Sequence, residues 1–295
     1  MRDSLDIDTS RRKRAMMNNP PVIKDTNLSV AWARMFLRLT VRSDAEIAPL
    51  VVSVTRFKDG EPVEDETLRK ALDTCLETNG LQPVHTVANT IFPQSLWQMA
   101  KGDRKDLYAA YLENLPSYVA MASSKNNRGL YFARLIAFHT DPKTGERLPY
   151  VPPSVVPADG NQLEFIIENC RSGKRRSMFQ ASIFDPLRDH TRSAQLGFPC
   201  LQHVSFVPDF AAKTLMLNAF YATQQAFERA YGNFLGLCRL GEFVAHEAGL
   251  TFERMTCFAG IEKMDERPPH NESTWVALKT VAQNLVVAAD TQTTT

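Results

Sequence analysis

The chain has 295 residues, carries 34 Lys and Arg against 33 Asp and Glu for a net charge of +1, and is 44% hydrophobic. At this length a single core can bury roughly 75% of the surface that the unfolded chain exposes, so neither a metal nor a disulfide is needed to hold the fold. The even charge balance excludes a protein whose main business is coating nucleic acid, which needs a marked Lys/Arg excess, but it leaves a single nucleotide open as ligand.

No apolar run approaches the ~20 residues of a membrane helix, and Arg11, Arg12, Lys13 and Arg14 near the start are followed by no apolar stretch. Neither a membrane partner nor a signal peptide is expected. Cys75, Cys170, Cys200, Cys238 and Cys257 are odd in number and lack a CxxC pair, the pattern of reduced thiols in a cytoplasmic protein.

Residues 1–25 are polar and breaker-rich, and residues 289–295 lack an apolar pattern, so both ends are expected to be loose around one α+β domain over 26–288. Apolar spacing predicts helices over Asn27–Leu39 and Glu64–Leu76, and the β-branched run Ala48–Arg56 predicts a strand. Pro93 opens a short helix with Leu96 and Met99 on one face, and Asp103–Leu115 reads as a helix that Pro116 should end. A Pro- and charge-containing connection covers Arg134–Pro157, followed by a helix over Gln162–Cys170. Past Arg175 and Arg176 the pattern turns to strands, over Met178–Phe184, Leu201–Val207 and Thr214–Tyr221. A long helix over Phe227–Ala248 follows, capped by Gly249.

The usual nucleotide loops are missing. Gly173-Lys174 resembles the end of a phosphate-binding loop, but the position where its first glycine belongs is Glu168. The six histidines show no metal-ligand spacing, so no metal is assigned.

Three features carry chemistry. Cys200 opens a strand directly after Pro199, where a thiol is accessible in a way that a mid-helix cysteine is not; it reads either as one more buried cysteine or as a nucleophile. Arg175 and Arg176 sit in a turn, as a solvated basic pair or as a fork for phosphate that also lowers a nearby thiol. Asn233 lies among apolar residues of the long helix, where its amide bonds a carbonyl or reads the edge of a base.

Taken in order, these pieces resemble the thymidylate synthase and pyrimidine nucleotide hydroxymethylase superfamily. The matching stretches are Asn89-Thr90-Ile91-Phe92-Pro93, Tyr131-Phe132-Ala133-Arg134-Leu135, Arg175-Arg176, Phe198-Pro199-Cys200, Asn233 within Tyr231–Leu237, and Glu242-Phe243-Val244-Ala245 before Gly249-Leu250. The resemblance implies a twisted mixed sheet packed by helices, with one sheet face forming a homodimer interface. It implies that Cys200 adds to C6 of a pyrimidine nucleotide, making C5 a nucleophile toward a one-carbon unit from 5,10-methylenetetrahydrofolate. It places Arg175 and Arg176 on the phosphate in the partner subunit's site, gives Asn233 the uracil edge, and adds Tyr131 and Arg134 to the substrate site. A methyl or hydroxymethyl transferase is the expected activity, and the alternative is a homodimer that keeps the fold without turnover.

The chain departs from the family pattern in several places. Ala222 stands where the family has a same-chain phosphate arginine, and Lys263-Met264-Asp265 stands where a His-x-Tyr pair is expected. Leu201 follows the cysteine in place of the frequent histidine. Gln94, ahead of Ser95-Leu96-Trp97, stands where the synthases carry a glutamate.

Overall fold

The computed structural model describes residues 21–41, 45–121, 130–190, 192, 199–264 and 272–293; Arg11 to Arg14, Phe198 and Asp265 lie outside them. The architecture is mixed α and β, centred on a twisted sheet in the order β1-β3-β9-β8-β7-β6. Its strands are β1 (Val22–Asp25), β3 (Leu50–Val54), β6 (Gln180–Ser182), β7 (Leu201–Asp209), β8 (Thr214–Gln225) and β9 (Thr251–Lys263); β2 (Glu46–Ile47) pairs with β9 off this path. β4 (Phe57–Lys58) and β5 (Glu61–Pro62) form a separate hairpin.

Two parallel pairings explain the helices on the sheet. β1 and β3 are joined through α1 (Leu28–Thr40), and β8 and β9 through α9 (Tyr231–Ala248). A parallel pair cannot close through a hairpin, so each connection is a helix laid on the sheet. Asn27 caps α1 by accepting from the backbone N–H groups of Ser29 and Val30, and Gly249 ends α9 at φ +70°. The remaining helices are α2 (Glu66–Thr78), α3 (Val84–Asn89), α4 (Gln94–Met99), α5 (Arg104–Met121), α6 (Tyr131–Ile136), α7 (Gln162–Arg171), α8 (Pro186–Asp189) and α10 (Glu272–Thr293). Among the described residues no helix is long and apolar enough to cross a membrane.

Several expectations need correction. Pro116 lies inside α5 instead of ending it. Its ring removes the bond to the Leu112 carbonyl, but both residues are exposed, so water can take that carbonyl. The strand expected over Met178–Phe184 shrinks to β6, preceded by a 3₁₀ turn at Arg176–Met178. Val22–Asp25, assigned to a loose tail, is the edge strand β1, and the helix α10 runs through to Thr293. α10 is tied down by Trp275, whose ring packs edge-on against Phe36 and Phe227.

The sheet has one covered face and one open face. Along β8, Leu215, Leu217, Ala219 and Tyr221 are buried, while Asn218 and Phe220 point the other way and are exposed. Phe220 stacks on its β9 neighbour Phe258 at 5.5 Å between ring centroids. The alternation slips on both strands together, at Ala222–Thr223 and Gly260–Ile261, so that Gln224 and Glu262 return to buried positions. Gly260 permits this shared kink: a Cβ there would stand 2.9 Å from the Ala222 carbonyl oxygen.

Candidate functional site

At one end of the sheet, the start of β7 meets the far ends of β8 and β9. Cys200 immediately precedes β7, its carbonyl accepts from Ala222 N–H at 3.0 Å, and Leu201 stands opposite Tyr221. Pairing therefore brings Cys200 beside the kink, and Gln225 and Lys263 lie side by side just beyond it.

Cys200 is exposed, whereas the other four cysteines are buried. An open edge does not make the sulfur well solvated. Packing around it pushes the thiol above its ordinary pKa, and Arg229 and Lys263 pull in the opposite direction without winning. Within one chain the cations that act on this thiol are Arg229 and Lys263, and Arg175 and Arg176 are not among them.

Tyr131 does meet Cys200. From the first turn of α6 its phenol lies beside the Cys200–Leu201 backbone, whose N–H groups favour its ionised form. Burial is the first cause that pushes this phenol up to about 12, so at neutral pH it is a neutral hydroxyl. Tyr221 lies close to both; its hydroxyl is fully buried, has no hydrogen-bond partner among the described residues, and titrates well above the ordinary range because of that burial. Gln224 adds a second polar group on this side, with Nε2 buried and unpartnered among the described residues and Oε1 at 4.0 Å from the Cys257 sulfur.

Asn233 sits in the first turn of α9, four residues after Arg229, which places the two on the same side of one continuous helical run. It is only 5% exposed, and its amide makes no hydrogen bond among the described residues. The carbonyl partner that a purely structural amide would take is absent among them. The start of α9 is itself held firmly. Tyr231 donates to Glu64 at 2.7 Å and shares a 2.7 Å hydrogen bond with Ser29, and Arg69 both pairs with Glu64 and lies over the Tyr231 ring.

Arg134 is committed elsewhere. Its guanidinium makes two hydrogen bonds to Asp189, at 2.6 and 2.8 Å, and a third to the Ile183 carbonyl, all buried. Burial, the largest influence, would raise the Asp189 carboxyl, but the Arg134 hydrogen bonds, the Asp185 N–H and the charges of Arg134 and Arg188 together hold the group below the usual aspartate range. These bonds tie α6, and with it Tyr131, to α8 and to the Ile183 backbone.

Arg175 and Arg176 are exposed and lie at the opposite end of β7. Phe179 hydrogen-bonds Phe206, and Arg176 is near enough to Asp209 to help the Ala212 N–H lower that carboxyl. Nine residues of strand separate Asp209 from Cys200, about 30 Å at ~3.3 Å per residue. Within one chain the arginine pair does not meet the cysteine. Gln94 is at the start of α4, and a separate cleft of about 590 Å³ beside α5, reaching Tyr108, His139 and Arg147, is lined by none of the candidate residues.

Sequence reasoning missed Arg229, Tyr221 and Gln224. The signal was faint: a single arginine between Glu228 and Ala230 reads as surface, and only the irregular turn at Ala226–Ala230 brings it toward the thiol. No protein-family model matches the chain, and no curated protein matches it either.

Proposed function

We propose that the chain is a thymidylate synthase-like one-carbon transferase acting at C5 of a uracil or related pyrimidine nucleotide, with Cys200 as covalent nucleophile in a homodimer. The observation that supports this most is the grouping at the sheet end. An accessible thiol lies beside Tyr131, and one helical turn past Arg229 a buried amide waits without a partner among the described residues.

The chemistry asks for these parts. The Cys200 thiolate adds to C6, and the C5–C6 electron pair moves toward C5 and the C4 carbonyl oxygen. C5 would bond to the one-carbon unit and lose its proton, the folate nitrogen would leave as its bond to that carbon breaks, and the methylene so formed would take water (hydroxymethyl product) or a hydride from the tetrahydrofolate (methyl product) as the sulfur departs and the ring double bond re-forms. Asn233 presents both a donor and an acceptor, which suits the O4 and N3–H edge of uracil. The donor in this reading is 5,10-methylenetetrahydrofolate, and no described residue is assigned to hold it.

The two ends of β7 support reading the chain as a homodimer. A two-fold axis lying in the plane of the open face, across the strands near Ser205 and its β8 partner Asn218, would lay each arginine turn over the partner subunit's Cys200 end. Phe220 and Phe258, exposed by 41% and 36%, supply apolar surface for such a contact. The test is incubation of the chain with a uracil nucleotide and the folate donor. A product one carbon heavier, absent with Cys200→Ser, supports the reading.

A second reading, a dimer that binds a nucleotide without turnover, is favoured by the raised Cys200 thiol and by Gln94 in place of a carboxylate. Nucleotide binding with no product in either protein would select it.

A further inference from the structure

Residues 137–161 join α6 to α7 without a helix or strand of their own. Connections of this length are uncommon in compact domains unless they carry a function or lack order. This one is tied together throughout. Phe138 N–H donates to the Gly160 carbonyl at 2.9 Å, Leu148 N–H donates to the His139 carbonyl at 2.8 Å, and the Arg147 guanidinium donates to the carbonyls of Pro152 and Ala158. Gly160 closes the neck of the loop at φ +77°, where a Cβ would stand 2.5 Å from the His139 backbone nitrogen. Tyr150 fastens the loop to α8, donating to Asp185 at 2.7 Å.

Between this loop and α5 lies the cleft of about 590 Å³, a size within the roughly 300–1,000 Å³ of small-molecule sites. Tyr108, Leu112, Leu115 and Pro116 from α5, with Ile136 and Ala137 at the end of α6, give it an apolar wall. The loop gives it a polar rim in which Asp141 and Asp159 balance Lys143 and Arg147. Asp141 accepts from the backbone N–H groups of Lys143 and Thr144, Asp159 accepts from Asn161 N–H, and Arg147 holds its two carbonyls. The rim therefore has no net charge to offer an ion. Two other lining residues carry a polar atom that is buried and has no hydrogen-bond partner among the described residues: Nδ1 of His139, and the hydroxyl of Tyr108, a residue only 7% exposed. Such atoms are rare in folded proteins and call for an explanation. Burial, and after it the Arg147 charge, keeps the imidazole below its ordinary range, so it is uncharged at neutral pH.

We propose that this cleft is a second binding site, for an uncharged and mostly apolar small molecule whose body lies on α5 and whose polar group hydrogen-bonds the unpartnered atoms of His139 and Tyr108. The apolar wall supplies affinity by removing the ligand body from water. The two polar atoms supply orientation, since a ligand that leaves them unpaired forfeits the hydrogen bond that their burial calls for. The site is independent of the nucleotide reading, because none of the residues proposed for that reading lines the cleft.

The probe is N-phenyl-1-naphthylamine, an uncharged pair of aromatic units with one N–H, compared with 8-anilinonaphthalene-1-sulfonate, which adds a fixed negative charge to the same rings. Both are titrated by fluorescence into the full chain as wild type, Leu112→Trp and His139→Phe. Leu112 is 38% exposed, so the larger ring narrows the cleft from its mouth without entering the core. His139→Phe keeps a ring and removes Nδ1. The uncharged probe is expected to bind the wild type, to weaken about tenfold or more in Leu112→Trp, which blocks the apolar wall, and to weaken about fivefold in His139→Phe, which loses one hydrogen bond. The sulfonate is expected to bind about tenfold more weakly than the uncharged probe. No binding of the uncharged probe by the wild type overturns the site, and so does binding that Leu112→Trp leaves unchanged, because the probe then sits elsewhere, as on Phe220 and Phe258. Sulfonate binding as tight as that of the uncharged probe and equally sensitive to Leu112→Trp overturns the uncharged class of ligand. Unchanged binding in His139→Phe overturns the polar anchor.

Discussion

Leu215, Leu217, Ala219 and Tyr221 on one side of β8 are closed in by the chain's own helices, whereas Phe220, one residue out of step, is 41% exposed and stacks on Phe258. The covered side follows ordinary core logic, because each apolar residue there finds a helix. The open side has aromatic surface and no helix over it among the described residues, which is costly in water unless something else covers it. The two ends of the sheet differ as sharply: the Cys200 thiol and the Tyr131 phenol meet at one, and the arginine pair lies at the other. The contrast teaches that the folding unit and the functional unit need not be the same, since one chain completes its core while the parts expected of a nucleotide site stay about 30 Å apart along β7.

Substitutions on the two faces should separate these units. Leu217→Ala should cost about 2–5 kcal/mol of folding stability in chemical denaturation. Phe220→Ser combined with Phe258→Ser should leave that stability nearly unchanged while reducing the mass seen by light scattering to the 33.2 kDa of one chain. Equal folding losses from both would break the contrast, as would a wild type that is already monomeric.

The buried pair that fixes α6 comes next. Asp189→Ala leaves Arg134 charged and without its carboxylate, a loss of about 3–5 kcal/mol. The sign with pH is set by the lowered Asp189 carboxyl: its contribution is fully present above the ordinary aspartate value of about 4 and is lost as pH falls through the lower folded value. Urea midpoints between pH 6 and pH 3 should drop more steeply in the wild type than in the variant.

Reactivity of the thiols sharpens the contrast between surface and core. Timed alkylation with peptide mapping should label Cys200 first, because it is exposed, and its rate should keep climbing into alkaline pH, because its thiol is raised. Cys170, buried and pushed up to about 11, should lag. Labelling of Cys238 before Cys200 would contradict the placement of the site.

A smaller effect is expected at the amide. Asn233→Asp removes the donor and should shift preference from uracil toward cytosine nucleotides several-fold, measured by calorimetry, since an unpaired buried polar group costs about 1–3 kcal/mol. A fall in stability with unchanged preference would make Asn233 a structural amide.

Much of this was legible in the residues because local rules agree with the fold there. Asn27 before an amphipathic run, Gly249 after one, and the alternation from Thr214 to Tyr221 each state their element. β9 was passed over although Met255, Cys257 and Ala259 alternate, because Glu253 and Arg254 interrupt the pattern where the ladder with β8 shifts register. α10 was passed over because few of its side chains are buried, Leu278 and Ala282 among them, so its apolar stripe is faint. Cys200 and Tyr131 were both singled out from the sequence, and the fold brings them side by side. The Arg134–Asp189 pair was not legible, because nothing in the neighbours of Arg134 announces Asp189, which comes 55 residues later. Arg229 was missed because a π turn has no sequence signature as plain as a cap or a breaker.

The central claim, that Cys200 adds to C6 of a pyrimidine, is tested most directly without any one-carbon donor. Addition at C6 turns C5 into a carbon acid, so a uracil nucleotide incubated with the chain in deuterium oxide should lose its H5 proton signal by NMR. The account predicts H5 loss with the wild type and none with Cys200→Ser. A wild-type protein that binds the nucleotide yet leaves H5 in place over many hours would contradict it.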